Sequence, residues 1–280
     1  MPANVERLRE LEKAARRMRR DIITMTTAAG SGHPTSSLSA VEIVTALYFG
    51  GVLRHDPSRP NWPERDRFIL SKGHAAPVLY AALAEAGYFP TSELMTLRKL
   101  GSRLEGHPNM RRLPGVEAST GSLGQGLSIG IGHALAGRLD KLDYRVNVLL
   151  GDGENDEGQV WEAAMCAVKY KLDNLVAIVD HNKYQQTGPT AEVMDLRPLV
   201  EKWGGFGWHA REINGHDLGE VLDAFDEARR TKNKPTALIA HTEKGHGIIP
   251  ILAELKDTNF HGKTLSKEAA EKALALIGGD

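Results

Sequence analysis

The stretch RVNVLLGDGENDEGQVWEAAMCAVKYKLDNLVAIVDHNK, residues 145–183, decides the fold. Its two ends, RVNVLLG (145–151) and NLVAIVD (174–180), carry short apolar runs with β-branched residues, the pattern of strands buried on both faces. Between them, VWEAAMCAVKYK (160–171) has helical spacing. A strand–helix–strand unit of this size closes by a right-handed crossover, which brings both strand tips to one edge of a parallel sheet. Outward from this unit the alternation repeats. RFILS (67–71) and PTALIAHT (235–242) read as strands, and 76–87, 126–140 and 219–231 as helices. The fold class expected is therefore α/β, a parallel sheet flanked by helices on both faces.

With no internal repeat, no low-complexity tract and no linker rich in Pro, Gly or Ser, residues 1–280 read as a single domain with an extended tail after about residue 245. A net charge of −1 and a pI near 6.8 give no electrostatic reason to expect nucleic acid or a membrane as partner. No run approaches the roughly 18 apolar residues of a membrane span. The Arg-rich start contains Glu6, Glu10, Glu12 and Asp21, too many acids for a transit peptide. It reads instead as a surface helix with Leu8, Leu11, Ala15, Met18 and Ile22 on one face. The lone cysteine, Cys166, fits a reducing compartment, so a cytoplasmic protein is expected, and its AAMCAV setting reads as buried. Two long irregular stretches, 50–66 and 101–125, are long enough to suspect function.

The strand ending at Leu150 stops at Gly151-Asp152-Gly153, and four acids fall between Asp152 and Glu157. Thirty residues beyond Asp152, Asn182 lies just past the tip of the next strand. The crossover sets the two side by side, where their oxygens suit a hard cation such as Mg²⁺, with a backbone carbonyl such as that of Tyr184 as a third ligand. One carboxylate leaves positive charge for an anion, most naturally a diphosphate, and a helix start near Gln159 favours the same ligand. A Gly-Asp-Gly turn whose aspartate caps the next helix is the alternative.

This spacing resembles the thiamine diphosphate signature. GSGHPTSSLSAVEI, SKGHAAPVLYAAL, GHPN, STGSLGQGLSIGIGHALA, GDGENDEGQVWEA and HTEKGHGI resemble, in that order, the N-terminal, diphosphate-binding half of transketolases, across nearly the whole chain. The resemblance implies thiamine diphosphate with Mg²⁺, or another divalent ion such as Ca²⁺ or Mn²⁺, and transfer of a two-carbon ketol unit between sugar phosphates. It implies that Asp152, Asn182 and Tyr184 hold the metal, and that His74, Gly121, Leu123, Gly124, Gly153 and Glu157 join Asp152 and Asn182 around the cofactor. Ser122 stands where many relatives have proline.

Six Gly-His pairs occur, at His33, His74, His107, His133, His216 and His246, against about one expected from 11 histidines and 29 glycines in 280 residues. The excess points to histidines on backbone that passes close to a ligand. His133 lies inside a helix pattern and reads as structural, and His216 reads equally well as a helix-entry residue. By resemblance His33, His107 and His261 are the catalytic histidines: His33 and His261 for proton traffic at the donor hydroxyls, His107 for a substrate hydroxyl. His74 falls near the diphosphate, Lys244 adds positive charge or is merely solvated, and Glu157 and Glu162 match interface glutamates. A zinc site competes weakly, since neither HExxH nor a Cys pair is present.

The glutamate that activates the cofactor, and the arginines that hold substrate phosphate, belong to a second module of the family, and the chain stops about where that module would begin. A separate C-terminal transketolase subunit in an α2β2 assembly is therefore expected. Three alternatives remain: a split enzyme acting on another ketose phosphate, a relative of deoxyxylulose phosphate synthase, and a non-catalytic Mg²⁺/diphosphate-binding module.

Overall fold

The computed structural model describes residues 5–256 and 260–279. The first four residues of the N-terminal pattern and Asn259 of the NFHG motif lie outside the described residues. Five strands form one sheet: β1 (Arg67–Leu70), β2 (Val146–Gly151), β3 (Leu175–His181), β4 (His209–Asn214) and β5 (Thr236–His241). All pairs are parallel, in the order β1-β2-β3-β5-β4.

Side chains along the central strands alternate between two cores, as the two-residue repeat of a strand requires. Leu149, Val176, Ile178, Leu238 and Ala240 face one core, and Val148, Leu150, Ala177, Val179 and Ile239 the other. The first core is closed by α1 (Val5–Ala29), α2 (Pro34–Leu38), α3 (Val41–Phe49) and α4 (Ala76–Glu85). The second is closed by α5 (Gln125–Leu139) and α6 (Gly158–Lys169); beyond the exposed turn of α7 (Thr190–Val193), α8 (Leu199–Gly205) supplies the buried Trp203. The last three helices, α9 (Leu218–Arg230), α10 (Ile249–Glu254) and α11 (Lys267–Ile277), return to the first core. The sheet thus has helices on both faces, as the apolar runs required. In α1, Leu11, Ala15, Met18 and Ile22 are buried on one stripe, and Ala14, Ile23 and Met25 join them.

Three expectations are corrected. The edge strand β4, HAREIN, gives no apolar run because only Ile213 along it is buried, the usual polarity of an edge strand. The segment after residue 245 is not an extended tail. Residues 249–254 and 267–277 are helical, Ser266 caps α11 by accepting from the Ala269 N–H at 3.2 Å, and α11 packs on α1. Residues 50–66 serve structure. They lead into the start of β1, where Asp66 accepts from the Arg54 and Arg145 N–H groups at 2.8 Å each. That is the end of the sheet opposite the strand tips discussed next.

Candidate functional site

The register pairs Gly151 with Asp180, so β2 and β3 end level, and the ladder runs one step further through Asp152 N–H to Asp180 O at 3.2 Å. Asp152 and Asn182 leave adjacent strand ends. The Asp152 carboxylate accepts from the Gly153 N–H (2.9 Å) and from the Lys183 N–H (2.5 Å), the amide that directly follows Asn182. Asn182 Oδ1 accepts from the Tyr184 N–H at 3.1 Å. Burial, then the nearby Asp180 charge, push the Asp152 carboxyl up to about 7. A buried acid raised in this way, beside a neutral amide oxygen and without a direct cationic partner among the described residues, fits a divalent cation as the missing counter-charge.

These groups border a cavity of about 460 Å³ at the carboxyl edge of the sheet, where α/β proteins place their ligands. His33, His74, His107, His261, Gly121, Leu123, Asp152, Gly153, Glu157, Asn182 and Tyr184 all line it. Gly124 sits behind the wall: left-handed at φ +78°, it starts α5, and a Cβ there would meet Glu157 Cβ at 2.8 Å. Of the four acids, Asp156 and Glu157 are exposed at the rim, whereas Glu154 is buried in the cavity wall. Glu154 accepts from the Gly151 and Gly124 N–H groups at 2.9 and 2.8 Å and from Ser71 Oγ, so it ties the β2 tip to the glycine loop. The sequence reading missed Glu154, and it missed Lys72 and Asp180, a buried ion pair of which Lys72 reaches the cavity wall. A charged residue at the end of an otherwise apolar strand was the available signal for Asp180. Burial alone would raise its carboxyl, but the Lys72 charge and the hydrogen bonds from Lys72, Ser39 and Thr242 outweigh that and hold it low.

Three imidazoles meet over the cavity. The ring centroids of His33, His74 and His261 lie 5.1, 5.2 and 5.4 Å apart, and His107 joins from the irregular segment 101–124. Lys244 Nζ lies 3.0 Å from His261 Nδ1, and the His33 Nδ1 is buried with no hydrogen-bond partner among the described residues. Burial first, then neighbouring positive charge, lower all four. For His33 and His261 the result is about 4, with Arg98 and Lys244 the foremost charges respectively. For His74 burial and Lys72 act, and for His107 burial and Arg98. Here they are neutral rings, each able to donate from one nitrogen and accept at the other.

The reason given for the Gly-His pairs also changes. A Cβ at Gly73 would sit 2.7 Å from the Thr120–Gly121 backbone, and one at Gly215 2.4 Å from Thr242. These glycines admit other segments of this chain, and through them the site loops lock together. Gly132 borders open space, and His133 lies on α5 apart from the cavity. His216 and His246 stack on each other at 3.6 Å, away from the cavity. Glu162 is exposed on α6, and Cys166 is half-buried at the edge of the second core, less enclosed than its apolar neighbours suggested.

Residues 9–279 match the family model described as transketolase, thiamine diphosphate binding domain. The chain is 46% identical over 248 residues to the 6-deoxy-6-sulfo-D-fructose transketolase subunit SqwG of Clostridium sp. (strain MSTE9), covering 89% of each chain. It is 47% identical to the transketolase of Homo sapiens, over 97% of this chain and 42% of that protein. A crystal structure of a transketolase variant from Pichia stipitis superposes with a TM-score of 0.88 at 33% identity, over 96% of this chain and 41% of that one. The transketolase of Campylobacter jejuni gives 0.87 at 32%, over 99% and 43%. The chain thus spans under half the length of these transketolases and nearly nine-tenths of the SqwG subunit. With the family model covering almost all of it and relatives near half identical, this chain belongs to the transketolase family, in its thiamine diphosphate binding domain.

Proposed function

We propose that residues 1–280 form a single diphosphate-binding domain that acts as one subunit of a two-chain transketolase. In this reading it holds thiamine diphosphate through a divalent cation, Mg²⁺ or an ion such as Ca²⁺ or Mn²⁺, and completes its active site with a separate C-terminal subunit in an α2β2 assembly. The observation that carries it is the convergence of Asp152, Asn182, Tyr184 and four histidines, from segments far apart in the chain, on one cavity at the sheet edge. The cofactor supplies the carbon nucleophile that transketolase chemistry needs.

The chain's own residues bind, orient and move protons. The Asp152 carboxylate, Asn182 Oδ1 and the Tyr184 carbonyl hold the cation. His74, Gly121, Leu123, Gly124, Gly153 and Glu157 shape the cofactor cradle. His33 and His261 take and return protons at the hydroxyls of the donor ketose, for which neutral rings are suited because each can accept a proton outright. His107, exposed at the mouth of the cavity, donates to a substrate hydroxyl. The two-carbon unit then passes to an aldose phosphate, a step of the pentose phosphate pathway, in the cytoplasm. Among the described residues no helix is long and apolar enough to cross a membrane.

The relative of similar length favours a second reading, in which the donor carries a sulfonate in place of the phosphate. Both readings are tested by co-purifying the chain with the complementary subunit and assaying ketol transfer from xylulose 5-phosphate, fructose 6-phosphate and 6-deoxy-6-sulfo-D-fructose to an aldose phosphate. Transfer by the pair and none by the lone chain is expected. Robust transfer by the lone chain would overturn the two-chain assignment, and the preferred donor decides between the readings.

A further inference from the structure

The Asp180 side chain is completely buried, and it collects donors from four loops. Its Oδ2 accepts from Ser39 Oγ at 2.6 Å, Asn182 Nδ2 at 3.1 Å and Lys72 Nζ, and its Oδ1 accepts from Thr242 Oγ1. These donors come from the α2–α3 junction and from the segments that follow β1, β3 and β5. Lys72, as buried as its partner, also donates to the Ser36 carbonyl at 2.7 Å. A fully enclosed ion pair is weak evidence for stability, because desolvation offsets most of the attraction. Its value lies in the geometry it imposes.

That geometry concerns Asn182. An amide binds a cation only through its oxygen, and its two ends are almost isosteric. Asp180 can only accept from Asn182, which demands Nδ2 on that side. The Tyr184 N–H can only donate, which demands Oδ1 on the other. The two neighbours agree, and Oδ1, with a second lone pair, is turned to the side of the tip from which Tyr184 departs. We propose that Asp180 is a positioning residue, which fixes the Asn182 amide with its oxygen toward the cation. This rests on the cofactor reading above and adds a residue that never touches the ion. Lys72 supports it by neutralising Asp180, so that the carboxylate does not capture the cation itself.

The test uses the full chain with its complementary subunit and Mn²⁺ as the probe, titrated by electron paramagnetic resonance with thiamine diphosphate present. Asp180→Asn can present its own amide either way and frees Asn182 to flip. Its apparent Kd for Mn²⁺ should rise at least tenfold, while the cofactor Kd at saturating Mn²⁺ changes by less than about threefold. Adding Asn182→Asp to this variant should restore Mn²⁺ affinity, since a carboxylate offers an oxygen in either orientation. In the metal-free chain, the Asn182 side-chain amide protons should be protected from exchange in the wild type and released in Asp180→Asn. Lys72→Met/Asp180→Asn removes both charges together and serves if the single variant fails to fold. Unchanged Mn²⁺ affinity in Asp180→Asn, or a loss that Asn182→Asp does not rescue, would overturn the positioning role alone. No Mn²⁺ uptake by the wild-type pair would overturn the cofactor reading and this role with it.

Discussion

Two groups of Gly-His histidines in this chain look alike in sequence and differ in what their nitrogens are doing. His33 and His74, with His261 from the NFHG motif, face a shared cavity, and at least one nitrogen, His33 Nδ1, has no partner among the described residues. His216 and His246 are engaged. The Glu243 N–H donates to His216 Nε2 at 2.8 Å, which leaves the proton on Nδ1, and Nδ1 donates to Glu42 at 3.0 Å. Glu42 is in turn paired with Arg19. Burial opposes its ionisation, but the His216 hydrogen bond and the Arg19 charge outweigh that and hold its carboxyl low. His246 lies flat on His216, with rings 12° from parallel, and reaches Glu243 at 3.2 Å.

Ligand atoms of Glu42, His216 and His246 fall within 4.8 Å of one another, the proximity expected of a metal site. Yet parallel stacked imidazoles aim their lone pairs side by side rather than at a common point, and both His216 nitrogens are spent. The lesson is that a histidine's availability depends on whether the protein has already satisfied its nitrogens.

The comparison is broken most directly at the cavity. His261→Ala should lower kcat/KM of the assembled enzyme by about 10²–10⁴-fold, the range for a lost acid–base group, with little change in melting temperature. Steady-state kinetics beside a thermal melt would check it, and a large stability loss with normal kinetics would exchange the roles of the two groups. At the other cluster, His216→Ala leaves a buried carboxylate short of a donor. About 1–3 kcal/mol of stability should be lost in urea unfolding, with kcat per folded molecule preserved.

A third measurement uses pH. A histidine whose folded pKa lies below its unfolded one contributes stability that is fully present above the unfolded value near 6.5 and is lost as pH falls through the folded value. For His33 and His261 that window runs from about 6.5 down to about 4. Both are partly exposed, so solvent screening limits the loss to roughly 1–2 kcal/mol in total. The double variant His33→Ala/His261→Ala should flatten the decline in a pH series of unfolding curves. The smallest effect belongs to His246→Ala, which removes one stacked ring and should cost roughly 0.5–1 kcal/mol by the same unfolding assay.

Resemblance to a family pointed to the histidines and glycines of the cavity wall, whereas the residues by themselves determined the α/β class, four of the five strands and the meeting of Asp152 with Asn182. Those inferences rest on period, on the right-handed crossover and on motif spacing, which are local or nearly so. Apolar strands between helices can only be buried between them, and a unit of thirty residues sets Asp152 beside Asn182 with few alternatives. Only the tertiary structure decided the rest. The strand HAREIN is a strand because a neighbour pairs with it, and nothing in its own hydrophobicity says so. Glu154 and Exposed Glu157 carry the same side chain three residues apart, and only the turn after β2 sends the first inward to three donors while the second stays at the rim. Asp180 and Lys72 are 108 residues apart in the chain, and they acquire a function by meeting under Asn182. Hydrogen bonds are short-ranged and directional, so which polar groups are spent and which remain for a ligand is settled only when distant segments are packed together.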